Sequence, residues 1–232
     1  MAHDRQFGDP VPDFMPPVRP AAQTLTGTHV QLEPLRADLH SADLHRAMRA
    51  DDRIWDYLAY GPFASEADYH AWISRGEAGE DPLFYALRDL KTGRCGGVAS
   101  YLRISPGDGV IEVGHICLSP EMQSTIAATE AMRLIMAWAF DAGYRRCEWK
   151  CNALNLPSRR AALRLGFRYE GTFRQATISK GRNRDTAWYS VIDREWPALR
   201  GCFDRWLDPA NFDAEGRQRQ RLSDLTAALP GD

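Results

Sequence analysis

The stretch Cys151-Asn-Ala-Leu-Asn-Leu-Pro-Ser-Arg-Arg-Ala-Ala-Leu-Arg-Leu-Gly-Phe167 decides how this chain folds. A strand-like run, residues 146–151, leads into it and ends in polar residues. A helix is expected to begin near Asn155, with Pro157 and Ser158 suited to its first turn. It should stop at Gly166, and Phe167 should open another strand. Polar side chains, free backbone N–H groups and the positive end of the helix dipole would then gather at the mouth between strand and helix. Such a mouth suits an anionic or thiol-bearing ligand.

Elements continue in both directions. Downstream, residues 167–179 and 183–192 read as a hairpin around Lys180-Gly-Arg, followed by a helix over 196–207. Upstream, residues 125–142 carry Leu134, Ile135, Trp138 and Phe140 at helical spacing and end at Gly143. Before them lie three strand-like runs, 83–88, 95–104 and 110–118. A strand over 30–35, an amphipathic helix over 39–48 and two short helices around 54–58 and 69–73 come first, with Ser65 capping the last. Hairpins alternate with crossovers, so the sheet must be mixed and the class α/β. The domain should span residues 25–207. Residues 1–24, with Pro10, Pro12, Pro16, Pro17 and Pro20, should form an extended arm, and 208–232 a polar, Arg-rich tail that is either disordered or helical.

At 232 residues the chain is one large domain, or one domain with extensions. A net charge of −2 gives no electrostatic case for nucleic acid. Cys95, Cys117, Cys147, Cys151 and Cys202 show no CxxC spacing. Cys147 and Cys151 would stand about 13 Å apart in one strand. The set reads as reduced thiols in a cytoplasmic protein, with no zinc site. The opening Met-Ala-His-Asp-Arg-Gln lacks a signal-peptide core, and no run is long and apolar enough to span a membrane.

Three pieces of the chain resemble the GNAT superfamily of acyl-CoA-dependent N-acyltransferases. They are Ile111-Glu-Val-Gly-His-Ile-Cys-Leu-Ser-Pro with Glu121-Met-Gln123 through Glu130, Asn155-x-x-Ser158 through Gly166-Phe167, and Gly181-Arg-Asn-Arg-Asp185 through Trp196. The resemblance covers roughly residues 25–200 and looks closest to the RimJ/RimL branch of ribosomal-protein N-terminal acetyltransferases. It implies a mostly antiparallel central sheet flanked by helices, with a V-shaped opening between two central strands.

The resemblance also implies site residues. A Gln/Arg-x-x-Gly-x-Gly/Ala loop cradles the CoA pyrophosphate in the family, and here it reads Gln123-Ser124-Thr125-Ile126-Ala127-Ala128. Ile126 stands where the first glycine is usual, and a β-branched residue resists positive φ. Either the loop keeps negative φ there or phosphate binding is weakened. Backbone groups of Ile116 and Leu118 would pair with the pantetheine arm, and Asn155 would bond its amide. Many members protonate the leaving thiolate with a tyrosine four residues before Gly-Phe. Here that position is Ala162, and Ser158 takes over the role of acid. Glu112 is favoured as base, acting through water, with His115 as runner-up. Plain alternation puts these two on opposite faces unless a bulge intervenes near Gly114. Cys151 faces the same mouth as a buried spectator.

An α-amine with pKa near 8 is neutral in roughly one molecule in six to ten at pH 7. A lysine amine near 10.4 is neutral in only about one in 2,500. An N-terminal acceptor therefore asks less of a base. The acceptor side would involve Trp55, Tyr57, Tyr60, Phe63, Tyr69 and Trp72, which equally suit a core. Arg174, Lys180, Arg182 and Arg184 suit an acidic substrate or a solvated turn. The leading expectation is acetyl transfer from acetyl-CoA to a primary amine, on a protein N-terminus or a small molecule, without metal, by a possible homodimer. The alternatives are succinyl-CoA as donor, with Arg103, Arg174 or Arg184 near the acyl end, and a catalytically silent acyl-CoA-binding module.

Overall fold

The structure is a computed structural model and describes residues 7–229. The residues read for a signal peptide, 1–6, lie outside that range, as do 230–232.

An eight-stranded sheet organises the chain in the order β1-β2-β3-β4-β5-β6-β8-β7. The strands are β1 (Leu25–Thr26), β2 (Val30–Pro34), β3 (Leu83–Asp89), β4 (Arg94–Ser105), β5 (Val110–Leu118), β6 (Arg146–Asn152), β7 (Arg168–Ser179) and β8 (Arg182–Ile192). The helices are α1 (Ala37–Met48), α2 (Glu66–Gly76), α3 (Ile126–Asp141), α4 (Leu156–Arg164), α5 (Trp196–Leu207) and α6 (Leu222–Ala227). The short β1 is additional to the strands read from sequence. The run around residues 54–58 forms a 3-10 turn, Asp52–Trp55, in place of an α-helix. Asp51 accepts the Arg53 N–H there, which favours the tighter turn.

Every neighbouring pair is antiparallel except β5–β6. The crossover helix α3 forces that exception, since a hairpin cannot join parallel strands. Strand alternation then sorts the side chains. Ile111, Val113, Cys147, Trp149 and Cys151 point to one face and join the core beneath α3, α4, α5 and α6. A second core lies under α1 and α2 and takes in Phe84, Val98 and Cys117. Where β5, β6 and β8 meet, the second face carries Glu112, Glu148 and Lys150 instead, an interruption of the apolar pattern that marks the site.

Both ends of the chain are tied to this body. Tyr144 Oη donates to Val18 O at 3.2 Å, Arg19 Nη1 donates to Ile104 O at 3.0 Å, and Pro17 is buried. The proline-rich arm thus lies along its own domain over these residues. The segment expected as a polar tail folds back in α6, where Leu222 and Leu225 are buried against the α5 side of the main core. Only Leu222 and Leu225 supply apolar side chains to the buried face of this six-residue helix, beside Thr226, so too few apolar positions repeat for the periodicity to register.

Candidate active site

β5 and β6 pair at only three positions, Val110 to Glu112 against Arg146 to Glu148. Beyond them β5 stays with β4 as far as Leu118, and β6 stays with β8 as far as Asn152. The two strands therefore part and leave the V-shaped opening that the resemblance implied.

Backbone irregularity occurs on β4, β5, the segment before α3 and the β7–β8 hairpin. The described non-glycine residues with positive φ are Arg103 (+47°), His115 (+51°), Ser124 (+60°), Gln175 (+50°) and Lys180 (+49°). Such angles cost energy and persist where surrounding contacts hold them. Asp81 accepts the N–H groups of Arg103 and Ile104, both at 2.9 Å, and Asp185 accepts that of Gln175 at 2.8 Å. At His115, β5 uses one residue more than β4, because Val98 faces Cys117 while Ser100 faces Gly114. This is the bulge that alternation alone could not supply. It turns His115 onto the same face as Glu112, against Tyr60 and Phe84. Gly114 permits the turn, since a Cβ there would meet Leu102 Cδ2 at 2.8 Å and Glu112 Oε1 at 3.4 Å.

Glu112 is 3 % exposed. Its Oε2 accepts from Arg103 Nη1 at 2.6 Å and Lys150 Nζ at 3.0 Å. Lys150 Nζ also meets Glu148 Oε2 at 2.7 Å and lies 3.7 Å from the centre of the Trp188 ring. Burial pushes the Glu112 carboxyl up and outweighs the opposing pull of Lys150 and Arg103. His115 is pushed down to about 4, first by burial and then by the positive charges of Arg103 and Arg184. Its ring is neutral at pH 7, with Nδ1 3.1 Å from Tyr60 Oη. Burial holds the Tyr60 phenol protonated.

On the opposite face the chemistry is neutral. Asn155 caps α4 by accepting the Ser158 N–H at 3.1 Å. Its side-chain oxygen is thereby engaged at the helix end. Ser158 Oγ accepts from Trp149 Nε1 at 3.1 Å, which leaves its own proton free to donate. It lies beside the Cys151 thiol, whose pKa burial raises and Ser158 opposes. Ala162 is fully buried and offers no hydroxyl.

The segment expected to cradle phosphate keeps negative φ at Ile126. Thr125 is the N-cap of α3, and its Oγ1 accepts the Ala128 N–H at 3.1 Å. Ile126 begins the helix with helical φ, and the positive φ sits one step earlier in the loop, at Ser124. The N–H groups of Ile126 and Ala127 belong to the first turn and have no intrahelical carbonyl to bond. Gln123 and Ser124 are exposed. Leu118 O, expected to meet pantetheine, accepts from Gln123 Nε2 at 3.0 Å, and Ile116 is half-buried on the same strand. Of the aromatics expected on the acceptor side, Trp55 and Tyr69 are core, while Tyr60 meets His115.

Two further features stand apart. A cavity of about 550 Å³ between α4, α5 and α6 is lined by Leu163, Arg164, Phe167, Leu199, Thr226 and others, none of them an expected site residue. Glu33, His40 and Cys95 come within 4.8 Å of one another. Arg88 engages both oxygens of Glu33, Arg36 N–H donates to His40 Nδ1, and burial raises the Cys95 thiol to about 12. Those groups make an ion network and poor metal ligands.

Sequence reasoning missed Arg103 and Lys150 as partners of Glu112. The signal was present in the polar alternation Glu148-x-Lys150, but pairing across strands had to be known to use it.

Residues 29–168 match the family model described as an acetyltransferase (GNAT) domain. A GCN5-related N-acetyltransferase from Brucella melitensis is 42 % identical, with a TM-score of 0.91 over 94 % of this chain and 100 % of that one. An uncharacterized N-acetyltransferase of Bacillus subtilis, YnaD, is 26 % identical over 149 residues, 63 % of this chain and 85 % of that one. At the level of fold alone, the microcin C7 self-immunity acetyltransferase MccE, solved with acetyl-CoA and AMP, is 22 % identical with a TM-score of 0.64, covering 72 % of this chain and 93 % of that one.

Proposed function

The chain belongs to the GNAT acetyltransferase family and is an N-acetyltransferase, and from that premise we propose that it carries acetyl from acetyl-CoA directly to a primary amine in a ternary complex. The observation that carries this reading is the parting of β5 and β6 between the first turn of α3 and the first turn of α4. Acetyl-CoA is the donor the family uses, and MccE is a fold relative solved with it.

In this reading the pyrophosphate sits against Ser124, Thr125, Ile126 and Ala127, where backbone N–H groups and the helix dipole attract anions. Pantetheine runs along Ile116 and Leu118 as an added strand. Ser158 donates its proton to the leaving sulfur, oriented for it by Trp149 Nε1. Glu112 Oε1 faces the bulge at Gly114 and takes the amine proton through water. His115 is the second candidate base, weakened by its low pKa. The motifs Asn155-x-x-Ser158 and Gly181 to Trp196 support a RimJ/RimL-like acceptor such as a protein N-terminus. A homodimer is supported by the exposed Phe7, Met15 and Val18 of the arm; a monomeric mass by light scattering at micromolar concentration would remove it. A cytoplasmic setting is supported by five buried free cysteines, and no helix among the described residues is long and apolar enough to cross a membrane.

The test is free-thiol release from acetyl-CoA against peptides, polyamines and other small amines. Turnover that collapses in Ser158→Ala while CoA still binds supports the assignment. Tight CoA binding with no turnover on any amine speaks against it.

A further inference from the structure

The charged groups on the acceptor face do not cancel. Glu112, Glu148 and Glu170 are matched by Arg103, Lys150 and Arg146, each through contacts of 3.0 Å or less. Arg184 is left over. It lies on β8, in alternation with Thr186 and with Trp188, the ring that carries Lys150. It is half-buried, and its Nε is fully out of solvent with no hydrogen-bond partner. Among the described residues three other buried side-chain atoms share that state, on Ser119, Trp188 and Trp196, and Arg184 alone carries a charge. A buried guanidinium donor without an acceptor is costly. The group that would relieve it is an acceptor of opposite charge.

The surroundings hold Arg184 in this position. Opposite it, β7 uses two residues more than β8 between the pairs Phe173–Thr186 and Thr177–Arg184, and Asp185 pins that bulge at Gln175. The hairpin tip reaches the first turn of the acceptor side, where Lys180 Nζ donates to Trp55 O at 2.8 Å. A second guanidinium, Arg103, comes from the strained turn in β4, and its side chain is 60 % exposed. Burial lowers the pKa of Arg184, and the nearby Arg103 lowers it further. Arg174 and Arg182, read from sequence beside Arg184, are exposed.

We propose that Arg184, on the face where Arg103 holds Glu112, binds an anionic group on the acceptor, so that the preferred substrate is an amine carrying a carboxylate or phosphate close to its nitrogen. This rests on the N-acetyltransfer reading. Placement favours the acceptor over the acyl chain as the source of the charge. By alternation Arg184 shares the side of β8 that carries Trp188, opposite Lys150, whereas Cys151 pairs with Ala187 and projects to the other side, although its thiol is also within electrostatic reach of Arg184.

The experiment uses matched acceptors with acetyl-CoA: glutamate against glutamine, phosphoethanolamine against ethanolamine, and peptides beginning Asp against Asn. The anionic member of a pair should show the higher kcat/KM, by roughly tenfold or more, the scale of a charge-assisted bond. Arg184→Gln should erase that ratio, Arg184→Lys should restore part of it, and Arg182→Gln should leave it intact. A wild-type preference for the neutral members, or a ratio untouched by Arg184→Gln in a variant with native circular dichroism, overturns the proposal. With succinyl-CoA in place of acetyl-CoA, a gain on neutral amines that Arg184→Gln abolishes would move the charge to the donor and overturn the acceptor assignment. If no amine is acetylated, the transfer reading fails separately, and thermal shift in the presence of CoA still reads this one. Stabilisation by glutamate and not glutamine, lost in Arg184→Gln, supports it, and equal shifts overturn it.

Discussion

The two faces of the sheet at the V-shaped opening are built from opposite chemistry. One face presents Cys151, Trp149 and Ser158, neutral groups of which the last two share a hydrogen bond, backed by the main apolar core. The other presents Glu112, Glu148, Lys150, Arg103 and Arg184, with a neutral His115 at its edge. Strand alternation produces the split, because odd and even residues of β6 project to different sides. Under the proposed roles, the division would give amine attack on a thioester its two needs: a proton donor for sulfur in apolar surroundings, and a charged place where the amine loses its proton.

The neutral face should be the more sensitive to a single atom. Ser158→Ala removes the hydroxyl proposed to protonate sulfur, and kcat should fall by about 10² or more, the usual scale for a general acid. CoA affinity should hold, because the cap of α4 belongs to Asn155. Trp149→Phe keeps the ring and removes the donor to Ser158, so it should reproduce part of the loss. A Ser158→Ala enzyme with wild-type kcat would dissolve the contrast between the faces.

On the charged face the first effect of mutation should be structural. Glu112→Gln leaves Lys150 and Arg103 without their shared carboxylate. Lys150 keeps Glu148, so the cost should sit at the lower end for a broken buried pair, about 3 kcal/mol or less. Chemical denaturation measures it. Adding Lys150→Met to Glu112→Gln should recover much of that stability without recovering activity. Full stability in Glu112→Gln with lost turnover would instead assign the carboxylate to chemistry alone.

His115 separates the two candidate bases through pH. Its folded pKa of about 4 lies below the ordinary 6.5, so the unfolded chain binds more protons between those values. The stability that neutral His115 contributes is present above 6.5 and is lost as pH falls toward 4. His115→Asn should flatten that part of the stability curve. If His115 were the base, the acid limb of kcat/KM would fall near 4 and vanish in this variant. If the limb persists in His115→Asn, Glu112 keeps the role.

The order of elements was legible in the sequence because α3, β6, α4 and the β7–β8 hairpin have clear periods and stops: Gly143 at φ +97° and Gly166 at +87° stand where chain direction changes. The mouth around Asn155 and Ser158 was legible for the same reason. The side-chain roles within it were not. That Asn155 caps the helix while Ser158 receives the Trp149 N–H depends on a nine-residue separation closing in space. The shared carboxylate of Glu112 joins β4, β5 and β6, and a strand pattern says which residues alternate but not which meet across a sheet. The His115 bulge could be posed as a condition from Gly114 alone, but only the register against β4 settles it.

The smallest expected effect is the most direct check on how the proposed cofactor side differs from the proposed acceptor side. The proposed acceptor side would depend on named side chains, whereas the proposed phosphate loop would offer backbone. A glycine at position 126 would restore the pattern usual in the family, and a loop that needed positive φ there would gain affinity from it. Ile126, however, is the first helical residue, after Thr125 has capped the turn and Ser124 has taken the positive φ. Ile126→Gly should therefore leave the KM for acetyl-CoA unchanged and lower stability by up to about 1 kcal/mol, because glycine has more backbone freedom to lose in a helix. A fall in KM would show that the side chain obstructs the phosphates, and the loop would then rank with the acceptor face as a place where side-chain identity decides binding.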